Sequence, residues 1–469
     1  MRVLLAKPTV KPEHYYGKSK GLMLVENFIP SLGLGYLAAV LVENGRDVKI
    51  HDPVLPQGVE PIAAAVEEWR PDVLGLSVFT PHVASLPHLF ELLERISHRP
   101  FIVMGGSHVS ALPLESMDKY PADLCVVGEG EMTLLEIIGR LDSGDRDLRN
   151  IPGTVYRESG ESRLAQARPY IEDLDRLPFP ARDLMPPLSE HRPTPVSLRR
   201  KPLGSMITSR GCPHKCTFCD RSVFGRYYRC RTPENVIAEM RELTDKYGAR
   251  EIRFFDDDLA IDRERAVELA RLIFKERKVP WSCFLSARNA DLELLQLFRN
   301  AGCWQVLMGL ESGVDSVLRR LKKPTTLKLS RQAVNNANRA GLRIRADFIS
   351  GTPGETIDEM WETFRFAKQL KIDFAHFCKF LPYPGSEIHA NLAAAGHKFD
   401  YEANWSDSDN SSTQYVPDGI DPDDYARFLD RAYKRSYFRP GFVLRRLLRI
   451  RSLTELGGHI KGFLAALLL

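Results

Sequence analysis

The chain has 469 residues, enough for about two to four ordinary domains, and its 65 Lys and Arg against 61 Asp and Glu leave a formal charge of only +4. This balance excludes a global basic field, so nucleic acid is not an expected partner. No run approaches the roughly 18 apolar residues of a membrane-spanning helix, and the N-terminus lacks the pattern of a secretory signal peptide. A cytoplasmic, reducing location is therefore expected.

Strand and helix patterns alternate over residues 1–145. Short apolar runs predict strands at 2–6, 47–51, 72–79, 101–104 and 124–127, and helical patterns lie at 32–44, 62–69, 86–96 and 131–141. Apolar strands that alternate with helices predict an α/β fold whose doubly wound parallel sheet is covered on both faces. Ligands of such sheets bind at the carboxyl ends of the strands.

Small residues occupy the loops at those strand ends. They are Ser77, Thr80, Gly105, Gly106, Gly128 and Gly130. Glycine lets the backbone approach a flat or phosphorylated ligand closely. No GxGxxG fingerprint follows the first strand, so a dinucleotide is not the favoured ligand.

The rest of the chain divides into three parts. Residues 146–200 are rich in Pro, Arg and Asp without a long periodic segment, and are predicted to be a surface linker. Residues 201–390 contain six strand candidates separated by helices, which predicts a partial (β/α)6 barrel. The active site of such a barrel is expected at the C-terminal ends of its strands. The strand candidates are 205–209, 251–255, 281–285, 305–310, 343–349 and 375–380. Residues 391–469 are predicted to be a mostly helical C-terminal region.

Three of the eight cysteines lie close together. Cys212, Cys216 and Cys219 have the spacing C-x3-C-x2-C directly after the first barrel strand. Three thiolates on one loop can hold three irons of a [4Fe–4S] cluster and leave the fourth iron open for a small chelating ligand. A zinc site with His214 as fourth ligand is the alternative. The scattered cysteines are predicted to be buried thiols: Cys125, Cys230, Cys283, Cys303 and Cys378.

This cysteine motif, with Phe218 before its third cysteine, resembles that of the radical S-adenosylmethionine (SAM) superfamily. The resemblance implies that the amino and carboxylate groups of SAM chelate the open iron. One electron, from a reductant such as flavodoxin or ferredoxin, then cleaves SAM to methionine and a 5′-deoxyadenosyl radical.

Motifs at later strand ends strengthen the resemblance: an acidic triplet after the second strand, where many members carry GGE, then GxESG and GxPGET elements. The resemblance implies SAM-binding roles for Phe218, Asp256, Asp257, Asp258, Arg288, Glu311, Ser312, Gly351 and Pro353. Taken alone, each of these residues could have a purely structural role, in helix capping, in a tight turn or in a surface ion pair.

The N-terminal part resembles the cobalamin-binding domain found upstream of many radical SAM modules. The resemblance implies cobalamin contacts from Gly33, Ser77, Thr80, Gly105, Gly106, Gly128, Glu129 and Gly130. The sequence lacks the DxHxxG motif, so a histidine from that motif cannot be the lower ligand of the cobalt. A flavodoxin-like domain that serves only in packing is the alternative.

The two-domain resemblance is to the branch that contains anaerobic magnesium-protoporphyrin IX monomethyl ester cyclases and related class B methyltransferases. It implies methylation of an unactivated carbon in a hydrophobic, tetrapyrrole, lipid or natural-product molecule. One SAM would methylate cob(I)alamin, and a second would give the radical that abstracts a substrate hydrogen. An oxidative cyclisation or rearrangement without net methyl transfer is one alternative, and a non-catalytic iron–sulfur or zinc scaffold is another.

The C-terminal tail, residues 435–469, has seven Lys and Arg and one acid interleaved with Phe and Leu. This pattern predicts amphipathic helices, for which two placements are open. The tail either lies on the anionic inner face of a membrane or packs on the barrel with its arginines outward.

Overall fold

The computed structural model describes residues 1–11, 29–194, 197–276, 279–403, 414–437, 456–458 and 460–461. Its N-terminal part is a parallel sheet of five strands in the order β2-β1-β3-β4-β5. The strands are β1 (Arg2–Ala6), β2 (Asp47–His51), β3 (Val73–Ser77), β4 (Phe101–Gly105) and β5 (Leu124–Val126). The helices are α1 (Leu32–Glu43), α2 (Glu60–Trp69), α3 (Leu86–Glu94), α4 (Ser107–Ala111), α5 (Pro113–Lys119) and α6 (Glu131–Asp142).

Both faces of this sheet are buried, which explains the nearly continuous apolar strands. Leu4 and Leu74 belong to one hydrophobic cluster, while Val3 and Leu5 belong to a second cluster on the opposite face. The predicted doubly wound sheet is confirmed, and its chain order reverses between β1 and β3, where such sheets bind ligands.

Part of the expected linker is instead a hairpin. Strands β6 (Thr154–Glu158) and β7 (Glu161–Leu164) extend the N-terminal sheet, and β6 pairs antiparallel with β5. The structure thus corrects the linker prediction for 154–164. The reason is that the two strands, TVYRE and ESRL, contain few apolar residues and so lack a clear strand signal in the sequence.

The second sheet is a six-stranded parallel partial barrel, as predicted, in the order β15-β14-β13-β12-β11-β8. Its strands are β8 (Leu203–Met206), β11 (Glu251–Phe254), β12 (Trp281–Phe284), β13 (Cys303–Glu311), β14 (Arg343–Ser350) and β15 (Phe374–Lys379). A two-stranded antiparallel ribbon, β9 (Ser209–Arg210) and β10 (Arg229–Cys230), follows β8. The surrounding helices are α7 (Pro233–Asp245), α8 (Arg263–Glu276), α9 (Leu292–Asn300), α10 (Asp315–Arg320), α11 (Leu327–Arg339) and α12 (Ile357–Gln369).

The C-terminal region contains α13 (Glu387–Ala394) and α14 (Pro422–Tyr437). Tyr425 and Phe428 of α14 join the main core of the barrel. Most of the basic tail, namely 438–455, 459 and 462–469, lies outside the described residues, so its membrane contact stays a prediction. Among the residues that are described, no helix combines the length and apolar character needed to cross a membrane.

Candidate active site

The three clustered cysteines lie on one loop, between β9 and β10. The loop begins at Gly211, whose φ is +83° and where an added Cβ would lie 2.2 Å from the Tyr227 carbonyl oxygen. Only glycine therefore allows this close return of the chain. The Cys212 amide donates to the Gly225 carbonyl at 3.3 Å, which closes the loop, and the Thr217 amide donates to Leu321 at 3.0 Å, which ties it to the barrel.

All three thiols are buried or half-buried, and burial raises the pKa of each, that of Cys219 to about 12. Such thiols become thiolates only beside strong positive charge, which iron supplies. Three soft sulfur donors on one ordered loop fit an iron–sulfur cluster. Within the described residues, no three or more His, Cys, Asp or Glu side chains are already arranged to hold a single metal ion.

Asp256 and Asp258, two members of the acidic triplet, form hydrogen bonds that hold the loops at the carboxyl end of the barrel in place. Oδ1 of Asp256 accepts hydrogen bonds from the Thr208 amide at 3.1 Å, from the Thr208 hydroxyl at 2.9 Å and from Ser209. Oδ2 of Asp258 accepts from Asn289 at 2.8 Å. Both carboxylates are 2% exposed, so they position the loops after β8, β11 and β12.

Asp257, in contrast, is exposed at the mouth of the barrel. Its carboxylate lies near Cys212 and Cys219 and raises the pKa of both thiols. Although its surface is exposed, the surrounding strand-end loops partly desolvate its carboxylate and, together with the charges of Asp256 and Asp258, raise its pKa. Of the triplet, Asp257 is thus the exposed carboxylate beside the cysteine loop.

Glu311 ends β13 in a strained conformation, with φ at +62°. A non-glycine residue in this region costs about 1–3 kcal/mol and is often found at functional sites. The strain brings its Oε1 to 2.7 Å from Nζ of Lys323. Gly309 makes room for this ion pair, since an added Cβ there would lie 2.2 Å from Oε1 of Glu311.

Lys323 was missed by sequence reasoning because no motif contains it. Its side chain is 15% exposed, and its Nζ lies 5.8 Å from the centre of the Phe218 ring. Burial opposes its charge, but the carboxylate of Glu311, and the sulfurs of Cys216 and Cys219 in their thiolate form, outweigh that effect and raise its pKa. The ammonium group of Lys323 therefore lies between the GxESG element and the cysteine loop.

Four other predicted SAM residues have different surroundings. Ser312 is fully buried, and its hydroxyl contacts that of Thr363 at 3.0 Å. Gly351 is buried and packs against Tyr425, whose hydroxyl oxygen would lie 2.2 Å from an added Cβ. Pro353 is half-buried in the next turn, and Arg288 is exposed after β12. Their contact with SAM stays a prediction.

The carboxyl ends of the N-terminal sheet border a cavity whose far wall belongs to the barrel domain. Seven of the eight residues predicted to contact cobalamin line it: Gly33, Ser77, Gly105, Gly106, Gly128, Glu129 and Gly130. The barrel side contributes Ile207, Arg210, Val223 and Phe224. The eighth residue, Thr80, is buried away from this lining and contacts Nδ1 of His108 at 3.2 Å.

The lining fits a large flat ligand. Gly33 lines the cavity and is exposed, and an added Cβ there would have no atom within 4 Å, so the backbone leaves open space for a ligand at this point. Gly106 has φ at +100° and its Cβ would lie 2.7 Å from the Val78 carbonyl oxygen, so glycine is required for this close turn. The remaining wall is mostly apolar, as ligand pockets usually are.

Glu129 also forms buried ion pairs with two arginines, which the sequence did not indicate. Its carboxylate contacts Arg210 at 2.8 Å and Arg229 at 2.8 Å, and Glu131 contacts the other nitrogen of Arg210 at 2.6 Å. These side chains are at most 6% exposed. The guanidinium of Arg210 also lies 5.3 Å from the ring centre of Tyr36. This buried network joins the cavity to the ribbon that carries the cysteine loop.

Residues 206–367 match the model of the radical SAM superfamily, and residues 22–138 match that of the B12 binding domain. An uncharacterized methyltransferase of Pyrococcus horikoshii is 32% identical over 90% of this chain and 93% of its own length. The chain therefore belongs to the family of cobalamin-dependent radical SAM enzymes that includes methyltransferases. Its cofactors are a [4Fe–4S] cluster, SAM and cobalamin, which sets aside the zinc and scaffold alternatives.

Two further relatives show the breadth of this family. The cytidylyl-2-hydroxyethylphosphonate methyltransferase of Streptomyces wedmorensis is 31% identical over 76% of each chain. An anaerobic magnesium-protoporphyrin IX monomethyl ester cyclase of Rubrivivax gelatinosus is 27% identical over 94% of this chain and 78% of its own. The solved structure of the radical SAM methyltransferase TsrM from Kitasatospora setae, with cobalamin and a [4Fe–4S] cluster bound, has a TM-score of 0.72 at 17% identity. The match covers 100% of this chain and 99% of the TsrM chain. At this identity, the likeness shows only that the two chains share a fold.

We expect Gly33→Leu to weaken cobalamin binding about tenfold or more, because a side chain forced into an occupied cavity costs about 1–3 kcal/mol. Titration of the purified protein with hydroxocobalamin, followed by absorbance, measures this. Gly139→Leu is the matched control, since Gly139 also lies in a helix with open space around its Cα but outside the cavity lining. Equal affinities of the two variants would contradict this cobalamin site.

We expect Lys323→Met to raise the KM for SAM about tenfold, since it leaves the Glu311 carboxylate without its cation beside the cysteine loop. Anaerobic 5′-deoxyadenosine formation at varied SAM concentration gives KM and kcat separately. Lys323→Arg should restore most of the affinity. The control is Lys322→Met, whose exposed side chain pairs with Glu387; an equal effect in both variants would contradict a role specific to Lys323.

Proposed function

We propose that this enzyme methylates an unactivated carbon of a small molecule. The observation that supports this most is the position of Arg210, which lines the cobalamin cavity and lies two residues before the cluster ligand Cys212. A methyl donor in that cavity and a radical generated at the cysteine loop would then act on neighbouring sides of one substrate. When bound, the cluster, SAM and cobalamin supply the radical and the methyl group.

The protein itself contributes positioning and exclusion of water. Cys212, Cys216 and Cys219 would hold the cluster, while Asp257 and the Glu311–Lys323 pair would orient SAM. The network of Arg210 with Glu129 would fix the distance between the cobalamin cavity and the cysteine loop, which matters because small misplacements of reacting groups slow a reaction strongly. An electron from a small redox protein such as flavodoxin or ferredoxin starts the cycle.

The test is a comparison of metabolites between a deletion strain and its parent, both grown with methionine that carries a deuterated methyl group. A product that disappears in the deletion strain and contains the labelled methyl supports the proposal. If the product that disappears in the deletion strain carries no labelled methyl in the parent, the oxidative cyclase alternative is favoured instead. The similarity to the cyclase of Rubrivivax gelatinosus is the observation that supports this alternative.

A further inference from the structure

A second cavity, of about 240 Å³, lies at the end of the barrel opposite the cysteine loop. Its walls come from Arg199 before β8, Arg299 near the end of α9, Trp304 at the start of β13, and Asn338 and Arg343 on either side of the turn between α11 and β14. The cysteine loop follows the carboxyl end of the first barrel strand, whereas this cavity lies at the amino ends of the strands. Its lining shares no residue with the cobalamin cavity.

Three guanidinium groups line this cavity, and none of the lining residues is acidic. Arg199, Arg299 and Arg343 are each half-buried, so part of each side chain is withdrawn from water. The guanidinium carbon of Arg343 lies 5.5 Å from the centre of the Trp304 ring, which orients this cation. Guanidinium stays charged at physiological pH, and its planar fork of donors matches the oxygens of a phosphate or a carboxylate.

Arg299 is the lining cation whose charge no acid matches. Its Nη1 donates to the Cys303 carbonyl at 3.4 Å, a long hydrogen bond to a neutral group. Among the residues that the structure describes, no Asp or Glu forms an ion pair with it. An added Cβ at Gly341, which is exposed, would lie 3.7 Å from Nε of Arg299, so this guanidinium lies beside the rim of the cavity. A half-buried guanidinium in this position favours an anion from solution.

A buried acid, Glu251, lies behind the cavity wall and is already engaged. One of its carboxylate oxygens accepts from the Arg199 and Arg200 amides, both at 2.7 Å, and the other accepts from the Trp304 indole at 3.1 Å. Burial raises the pKa of Glu251 to about 7, and the charge of Arg253 opposes that effect. Glu251 therefore holds two parts of the wall in place, and Arg253 is the arginine that compensates its charge.

A second acid, Asp373, lies beside the start of β14. Its Oδ2 accepts from the Ile344 amide at 2.9 Å, and it does not line the cavity. Glu251 and Asp373 thus stand against four arginines, namely the three that line the cavity and Arg253. The C-termini of α9 and α11 offset only part of this excess, at about half a unit charge each. The charge around the cavity therefore stays positive.

The surface beside Arg199 is basic as well. Arg200 is exposed, and burial together with the charges of Lys461 and Arg192 lowers the pKa of Lys201. Lys461 belongs to the described part of the basic tail, which therefore comes close to this end of the barrel. An anion that approaches this end of the molecule meets an attractive field.

We infer that this cavity is a binding site for a phosphate group, with Arg299 as its principal ligand and Arg199 and Arg343 as further donors. Its volume lies below the range of about 300–1,000 Å³ of pockets for drug-sized ligands, so it fits a small anion or the phosphate end of a larger molecule. A phosphate monoester carries about −1.5 to −2 charges at neutral pH, more than a carboxylate, which suits several arginines.

The phosphate group belongs either to a soluble molecule or, since the basic tail comes close, to a lipid headgroup. Its site lies at the opposite end of the barrel from the cysteine loop. The inference therefore does not depend on the proposed methylation, and the ligand is not the substrate of that reaction.

The experiment uses the reconstituted holoenzyme and phenylglyoxal, a neutral reagent that modifies arginine side chains. The rate of modification of Arg299 is followed by peptide mass spectrometry, with and without inorganic phosphate. At a phosphate concentration ten times the dissociation constant, we expect this rate to fall about tenfold. The control within the same molecule is Arg95, which is exposed at the end of α3 and outside the cavity lining. Equal slowing at both arginines overturns the inference.

Vesicles distinguish the two sources of the phosphate group. The same modification is followed with phosphatidylcholine vesicles that do or do not contain phosphatidic acid. Protection of Arg299 by inorganic phosphate identifies a soluble ligand, and protection only by vesicles with phosphatidic acid identifies a lipid headgroup. Absence of protection by both forms overturns the inference.

A second measurement compares Arg299→Gln with Arg95→Gln by thermal unfolding of the holoenzyme at increasing phosphate concentration. We expect about tenfold more phosphate to be needed for the same rise in Tm in Arg299→Gln, because a charge-assisted contact is lost, and no change in Arg95→Gln. The general effect of phosphate on protein stability is common to both variants and cancels in the comparison. Equal phosphate dependence of the two variants overturns the inference, while the protection of wild-type Arg299 does not depend on either variant folding.

Discussion

Cys216→Ala should reduce 5′-deoxyadenosine formation from SAM to background while leaving cobalamin binding nearly intact. Cys216 is only 8% exposed on a loop that is tied to the barrel, so no other side chain can replace its thiolate. Losing one of three ligands exposes a cluster iron that the protein then cannot retain. The glycine-lined cavity proposed to hold cobalamin takes none of its lining from Cys216.

The measurements are iron content, chromatographic detection of 5′-deoxyadenosine and absorbance of bound hydroxocobalamin. Cys230→Ala is the matched control, because Cys230 lies eleven residues after Cys219 but belongs to β10 rather than to the cysteine loop. It should keep both its iron and its activity. Loss of cobalamin together with the cluster in Cys216→Ala would mean that the two sites are not separable.

Arg210→Met should destabilise the protein by about 3–5 kcal/mol, the usual effect of removing one partner from a buried ion pair. The change leaves Glu131 without its guanidinium partner and Glu129 with Arg229 alone, at side-chain exposures of at most 6%. Since Arg210 also lines the cavity, cobalamin affinity should fall in the same variant.

Denaturant unfolding of the apoprotein, followed by fluorescence, measures the stability change, and cobalamin titration below the transition measures the affinity. The control is Arg241→Met, which breaks a surface pair that typically contributes about 1 kcal/mol or less. Similar losses in both variants would contradict the importance of the buried network. A normal cobalamin affinity in folded Arg210→Met would separate stability from cofactor binding.

Much of the architecture could be predicted because the local signals were strong. The apolar strand β1 and the alternating strand β2 were predicted with the ranges that the structure shows. The hairpin β6–β7 was missed because its strands contain few apolar residues and its outer strand is mostly exposed. The short helices α4 and α5 were missed because five to seven residues show no helical period.

The site was only partly visible in the sequence. Motifs located the cysteine loop and the glycine-lined cavity because those features are local in the chain. The Glu311–Lys323 pair and the Glu129–Arg210 pair bring together residues 12 and 81 positions apart, and only the fold does this.

The most direct test of the account is anaerobic reconstitution of the wild-type protein with iron and sulfide, followed by reduction in the presence of SAM. The account predicts about four irons per chain, since three thiolates and one open iron define this type of cluster. It also predicts 5′-deoxyadenosine in amounts that depend on the reductant. Protein that binds no iron, or that binds iron but yields no 5′-deoxyadenosine, would contradict it.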